Sequence, residues 1–390
     1  MKRLACILMI SCAAITPCLV SAAEKAGGKT SADLSLRLEV ENAIGKGLTW
    51  LSGKQQEGGN WAQPEYPAVS ALVLTAFQGD PSNFYKTRYD ANIKKGYDYL
   101  LKCAKPDGGI YVKDLKNYNT AIGMMALFVA NNPAYEPLLK KGRQYLIRQQ
   151  DDFGEKGMGD HPLDGGIGYG GTYKNSDINN TTTALEALYY TRYLQNDVAK
   201  DPETKDLNWK AVTQFISRTQ HLPGTNDQKW VSNDPANRGG FVYFPENSKS
   251  PDMKLDDGKT VLRAYGSASY LGLLSLIYAQ VDKSDSRVKG VIDWHSRNFT
   301  LDENPGMEQQ GLFYYYYAMS KALSIASVDS MPGKDGKKVN WRQELAKKLL
   351  DLQGADGSWI NQKSGRFWEK DPNLVTAYAL ITLEILHRGL

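Results

Sequence analysis

The chain has 390 residues, 42% of them hydrophobic, so it is long enough to bury a large core. Its 47 Lys and Arg against 43 Asp and Glu leave a formal charge of only +4, without basic clusters, which argues against a nucleic-acid partner. Beyond the N-terminal leader, no stretch is apolar and long enough to span a membrane.

The first residues read as a leader. Met1-Lys2-Arg3 is a charged start, Leu4 to Val20 is mostly apolar, and Val20-Ser21-Ala22 is a small-residue cleavage site. Residues 1–22 are therefore expected to be a signal peptide, with the mature chain periplasmic or secreted. Pro17 directly before Cys18, and the early position of Cys12, argue against a lipid anchor. Cys6, Cys12 and Cys18 leave with the leader, so Cys103 remains alone and no internal disulfide can form. A hydrophobic core must hold the fold, and Cys103 reads as a small buried hydrophobe within it. Residues 23–35 carry no apolar period and are expected to be a flexible arm.

Two kinds of helical segment then alternate. The first is mixed apolar and charged: Leu38–Gln55, Asn92–Ala104, Pro137–Gln150, Trp209–Gln220, Ser286–Asn298 and Trp341–Gln353. Apolar residues recur there at three- and four-residue steps, as in Ile93, Tyr97, Leu100 and Leu101, which predicts outer helices with one wet side. The second kind is nearly free of charge and rich in Ala, Ser and Gly. These segments begin at Tyr66, Asn119, Asn180, Tyr265, Gly311 and Leu374 and read as buried inner helices. Each outer segment hands over to its inner partner through a glycine turn such as Gly58-Gly59, Asp107-Gly108-Gly109 or Asp356-Gly357. Six outer–inner pairs without polar end caps predict an all-α, closed double ring, an (α/α)6 toroid, formed by residues 36–390 as one domain. Two linkers, 151–178 and 221–261, are long for a compact fold, and any site is expected on the side they flank.

Around the first turn, Lys46, Gly47, Trp50, Leu51, Gln55, Gly59 and Trp61 fit the pattern [KR]-[GA]-x-x-[FYW]-[LIV]-x-x-x-Q-x-x-x-G-x-W. Lys95, Gly96, Tyr99, Leu100 and Gly108 repeat it with Ala104 and Ile110 in place of Gln and Trp, and Gln353, Gly357 and Trp359 repeat its end. On these residues the chain resembles the prenyltransferase and squalene-oxidase repeat family, the terpenoid cyclase/protein prenyltransferase toroids. The Gln and Trp read as structural: the amide bonds free backbone groups at a helix end while the ring covers the glycine turn.

The resemblance also implies where chemistry would sit. In the family's class II cyclases an acidic D-x-D-D-T motif opens an inner helix and protonates an alkene. The matching segment here is Asp177-Ile178-Asn179-Asn180-Thr181, in which Asn179 stands at the proton donor's position and an amide cannot act as a strong acid. Asp177 and Asn179 also suit helix N-capping. The zinc-binding prenyltransferases in the family use Asp, Cys and His, and His161, His221, His295, His387 and Cys103 show no spacing of that kind. The Asp151-Asp152-Phe153-Gly154-Glu155 stretch is similar to the diphosphate-binding acids of class I terpene synthases, but it lies at the end of an outer helix in a charged loop, where chance is the better explanation. Neither a metal nor another cofactor is expected.

A ring of inner helices leaves a central cavity whose mouth the helix N-termini would line. Candidate catalytic groups there are Asp177, Arg263, Tyr265 and Glu308. Candidate ligand-binding groups are Asn119, Asn179, Asn180, Arg238, Gln309, Tyr314 and Asn373. Aligned helix N-termini would favour a negative ligand group, and aromatic rings beside amides suit a glycan or another small molecule. Two classes stay open at this point. One is an exported ligand-binding or assembly module that has lost the cyclase acid. The other is an enzyme, either a polysaccharide lyase or hydrolase or a squalene-hopene-type cyclase. The oligomeric state is not written in the sequence.

Overall fold

The computed structural model describes residues 31–197, 206–333 and 336–390, so the leader and residues 23–30 lie outside the described residues. In chain order the helices are α1 (Ser31–Ser52), α2 (Pro67–Gly79), a short α3 (Phe84–Arg88), α4 (Asp90–Lys102), α5 (Lys116–Val129), α6 (Glu136–Ile147) and α7 (Ile178–Tyr190). They continue as α8 (Trp209–Arg218), α9 (Gly266–Tyr278), α10 (Ser286–Asn298), α11 (Leu312–Ile325), α12 (Trp341–Asp351) and α13 (Pro372–His387). Helix α2 packs on α5, α5 on α7, α7 on α9, α9 on α11 and α11 on α13, and α13 returns to α2. The inner ring is therefore closed, with α1, α4, α6, α8, α10 and α12 outside it. The fold is the (α/α)6 toroid that the alternation predicts.

Burial follows the composition of each helix. In α9 every residue from Gly266 to Leu276 is buried, which a helix tolerates only when it is apolar on all sides. Gly272 is needed in it because an added Cβ would lie 2.5 Å from the Phe241 ring. Outer helix α8 instead buries Val212, Phe215 and Ile216 and leaves Lys210 exposed. Helix α1 begins already at Ser31, so the expected arm over 23–35 overlaps it. Leu36 is buried and Gln343 Nε2 donates to Asp33 Oδ1 at 2.7 Å, which ties this early turn to α12. Among the described residues, no helix is long and apolar enough to cross a membrane.

Four outer helices end two or three residues earlier than their apolar period suggests, because the glutamine that closes the pattern leaves the helix to make a different set of bonds. Gln55 Nε2 donates to Gly59 O and to Asn92 O of α4, both at 2.9 Å. Gln150 donates to Gly165 O and to Asn208 O at the start of α8. Gln220 donates to Gly239 O and to Arg287 O of α10, and Gln353 to Gly357 O and to Ala43 O of α1. One amide thus holds its own turn and the next outer helix, and the last of the four closes the ring. The turn glycine nests on that same neighbour. Gly239 has φ of 91°, and an added Cβ would lie 2.0 Å from Gly290 O.

The residue after the turn faces inward and is tied to the inner ring. Its backbone N–H donates to a hydroxyl of the following inner helix: Trp61 to Ser70, Ile110 to Thr120, Ile167 to Thr181, Phe241 to Ser269 and Trp359 to Thr376, at 2.9–3.1 Å. The rings of Trp61 and Trp359 are fully buried, and each Nε1 caps a free carbonyl of the preceding helix, Leu51 O and Leu349 O.

The two long linkers carry short hairpins. Strands β1 (Gly168–Gly170) and β2 (Tyr173–Ser176) pair in the first, and β3 (Met253–Lys254) and β4 (Thr260–Val261) in the second. A third pair, β5 (Met331–Pro332) and β6 (Lys338–Val339), precedes α12.

Replacing Gln220 by Ala removes both bonds and leaves two carbonyls at a buried position without their donor. We expect a loss of about 2 kcal/mol in unfolding free energy with unchanged cooperativity, read from urea denaturation. An unaltered midpoint would mean that the amide does not hold neighbouring repeats together.

Candidate functional site

A cavity of about 340 Å³ opens where the N-termini of the inner helices converge. The inner helices bring Tyr66, Tyr118, Asn119, Asn179, Tyr265, Tyr314 and Tyr378 to its wall. The first long linker adds Tyr169 and Tyr173, and the second adds Tyr243 and Lys249. The loop before α13 adds Phe367 and Trp368, which are 43% and 48% exposed at the rim. Among the described residues, no carboxylate lines the cavity.

The loop that presents Phe367 and Trp368 is strained and firmly anchored. Both residues have positive φ, 59° and 65°, a conformation that bulky side chains adopt only when their surroundings impose it. Glu369 supplies the anchor. Its buried carboxylate accepts from Tyr314 N at 2.9 Å, at the start of α11, and from Asn361 Nδ2 at 2.6 Å. Burial pushes its carboxyl up to about 7, against these hydrogen bonds. The Trp368 ring meets Tyr66 edge-on, with centroids 4.6 Å apart.

Asp177 caps α7 in extended backbone, beneath the cavity wall. Its Oδ1 accepts from Asn180 N at 2.9 Å and its Oδ2 from Asn180 Nδ2 at 2.7 Å. Burial raises its carboxyl to about 6, partly offset by the two Asn180 bonds, the Tyr243 hydroxyl and Lys249. Asn179 reaches the cavity itself: its Oδ1 accepts from the Tyr314 hydroxyl, and its Nδ2 donates to the Tyr169 hydroxyl at 3.5 Å. Deeper in the ring, Tyr118 and Tyr378 hydroxyls lie 3.4 Å apart, and Lys321 pairs with Glu186 at 2.5 Å while donating to the Tyr317 hydroxyl. Burial pushes the Tyr118 phenol up to about 12, and raises those of Tyr265, Tyr314 and Tyr378. All remain protonated at neutral pH, as hydrogen-bond donors with aromatic faces.

Of the residues that the sequence singles out, Asn119, Asn179, Tyr265 and Tyr314 line the cavity, with Asp177 and Asn180 directly beneath. The others lie elsewhere. Arg238 and Arg263 are exposed and do not line the cavity; they bond through their backbone, with carbonyls that accept from Arg297 Nη2 and Ser248 Oγ and with Arg238 N donating to Asp234 O. Glu308 is an exposed turn residue, and Gln309 Nε2 donates to Asp302 O beside a separate groove. Asn373 Nδ2 donates to Asp371 Oδ1.

The helix N-termini are not open either. Side chains of this chain already occupy five of the six: Asn119 Oδ1 accepts from Ala68 N, Asp177 from Asn180 N, Asn304 from Ser267 N, Glu369 from Tyr314 N and Asp371 from Asn373 N. The expected attraction for a ligand anion at these ends is thus largely spent inside the protein. Reasoning from the sequence missed Tyr118, Tyr169, Tyr243, Lys249, Tyr378 and Trp368. For the tyrosines the one signal was their abundance, 23 in the chain, which gives no position, and Lys249 and Trp368 gave none. Among the described residues, no group of three or more His, Cys, Asp or Glu is placed to hold a metal ion.

No family model matches this chain, and no curated protein matches it in sequence. Solved structures match its fold. A variant of the type II terpene cyclase MstE from Scytonema, bound to geranylgeranyl dihydroxybenzoate, is 12% identical with a TM-score of 0.52 over 92% of this chain and 100% of its own. The GH76 alpha-mannanase of Bacteroides thetaiotaomicron is 10% identical with a TM-score of 0.56 over 91% and 99%. A possible GH105 member from Salmonella enterica serovar Paratyphi A is 11% identical with a TM-score of 0.53 over 96% and 100%. The chain is thus a helical toroid of the kind that these cyclase and glycosidase structures share.

The raised carboxyls set a direction for stability against pH. Asp151 and Asp177 rise from 3.8 to about 6, and Glu369 from 4.5 to about 7, in each case through burial first. Between those limits the folded chain holds protons that the unfolded chain releases, so these groups make stability fall as pH rises. We expect a higher melting temperature near about pH 5 than near about pH 8, with a shallower slope in Glu369→Gln. A melting temperature that rises over this range would refute the assignment.

Proposed function

We propose that this is an exported toroid that holds a short stretch of a glycan chain in its tyrosine-lined mouth without cleaving it. The observation that carries the reading is the lining itself: clustered aromatic rings, hydroxyls and amides, a rim of exposed Trp368, Phe367 and Tyr173, and, among the described residues, no carboxylate. Sugar rings pair apolar C–H faces with a fringe of hydroxyls, and such a wall offers both partners. The cavity volume of about 340 Å³ sits near the lower end for small-molecule sites, so it suits a segment of a chain whose remainder lies outside.

Binding is favoured over cleavage by what the side chains are free to do. A lyase or hydrolase built on Tyr265 as base, with Asp177 as acid, needs a phenol of lowered pKa and a carboxyl reaching the substrate. Burial raises Tyr265, and Asp177 is capped by Asn180 beneath the wall. Arg263 and Glu308 face solvent outside the cavity. For the cyclase alternative, the amide of Asn179 occupies the position of the proton donor and is held by Tyr314 and Tyr169.

Calorimetric titration of the mature protein with a panel of soluble oligosaccharides tests this. Trp368→Ala should weaken the binding oligosaccharide at least about tenfold, about 1.4 kcal/mol, with little change in melting temperature because the ring is half exposed. Stabilisation by squalene with release of a cyclised product would overturn the reading in favour of a cyclase.

A further inference from the structure

Among the described residues, the cavity wall contains one cation. Lys249 comes from the second long linker and lines the mouth, with its Nζ 4.2 Å from the centre of the Tyr243 ring. Among the described residues it has neither a hydrogen-bond partner nor an ion-pair partner for that Nζ, although it is half-buried. A partly desolvated ammonium without an acceptor is costly, and proteins usually give such a group a carboxylate. Asp177, whose charge stabilises Lys249 through space, is spent on capping α7 and forms no ion pair with it.

A second cation stands outside the lining, beside the rim residue Phe367. The Arg366 guanidinium lies 4.9 Å from the centre of the Phe367 ring and donates to Gln310 Oε1 and, at 3.4 Å, to Lys249 O. It opposes the charge on Lys249 through space. With Lys249 in the lining, Arg366 beside it and, among the described residues, no lining carboxylate, this side of the mouth has a local positive excess. The helix N-termini contribute little to that excess, since the chain's own side chains cap them. The excess is therefore carried by Lys249 and Arg366.

We propose that the ligand held in this mouth is an acidic saccharide, whose carboxylate or sulfate group supplies the acceptor that Lys249 lacks. This rests on the glycan-binding reading and narrows it. An ammonium over a ring face beside an open cavity can move a few tenths of an ångström to meet an anion, and a charge-assisted hydrogen bond in so screened a place is stronger than one between neutral groups. Aromatic faces then hold the sugar ring, and Lys249 selects which ring is held.

The test compares three soluble oligosaccharides of matched length by calorimetry: a neutral one, one bearing uronic acid carboxylates and one bearing sulfate esters. We expect at least one acidic form to bind the wild-type protein about tenfold or more tighter than the neutral form. Raising salt from about 50 to about 500 mM should weaken the acidic form and spare the neutral one. The carboxylate and sulfate arms say which anion fits. Lys249→Gln should bring the ratio of acidic to neutral affinity close to one, while Lys249→Arg keeps it, with melting curves confirming that both fold. A wild-type ratio near one overturns the inference and leaves glycan binding standing. A ratio that survives in Lys249→Gln overturns the role of Lys249. Binding of no oligosaccharide in any arm overturns both readings.

Discussion

A single glutamine amide, repeated around the ring, is the constraint on which the rest depends. Helices packed side by side can slide along their axes at little cost unless polar bonds fix their register. The carboxamides of Gln55, Gln150, Gln220 and Gln353 each reach a turn carbonyl and a carbonyl of the next outer helix, so each fixes two neighbours at once. The backbone N–H after each turn then engages a hydroxyl of the inner helix, as Trp61 does with Ser70. Outer register, turn and inner register are thereby coupled. All the inner helices consequently begin near one level, and a common mouth exists at all.

That arrangement has a consequence for chemistry. Bringing six helix N-termini together concentrates partial positive charge and unpaired N–H groups. The chain answers with its own side chains: Asn119 bridges α5 to α2, Asn304 caps α9 and Glu369 caps α11. Residues that resemble a polar active site in the linear sequence are largely busy with this task. Asp177 is the clearest case, since both of its oxygens bond to Asn180 and its buried position raises its carboxyl to about 6.

The legibility of the sequence divides along the same line. The ring was readable because a 3.6-residue period, a glycine turn and a Gln–Gly–Trp signature are local patterns, and they recur. Even the alternation of wet and dry helices is local, as the charge-free run of α9 against the lysines of α4 makes plain. The wall of the cavity was only partly readable because its members come from elements far apart in the chain. Tyr118 and Tyr378 meet across 260 positions, and Tyr314 reaches Asn179 across 135. Lys249 gave no signal at all, being one lysine in a long linker whose only local feature is its length. The outer helix ends were overrun for a different reason: the apolar period continues through the glutamine, while the side chain's own bonds pull it out of the helix.

At the position where the resemblance would put a proton donor, the amide of Asn179 accepts from the Tyr314 hydroxyl and donates to Tyr169. An amide is one of the few groups that can do both at once without a charge. A carboxylate there would accept from both tyrosines but would also need a counter-charge in a wall from which water is largely excluded. Asparagine avoids that cost and keeps the two rings in place, so the wall stays neutral where Asn179 stands and positive where Lys249 stands. The site's electrical asymmetry thus comes from Lys249 of the second long linker and Arg366 of the loop before α13, while the repeats supply a neutral, aromatic frame. The charge at the mouth can then change with these two loops without disturbing the bonds that close the ring.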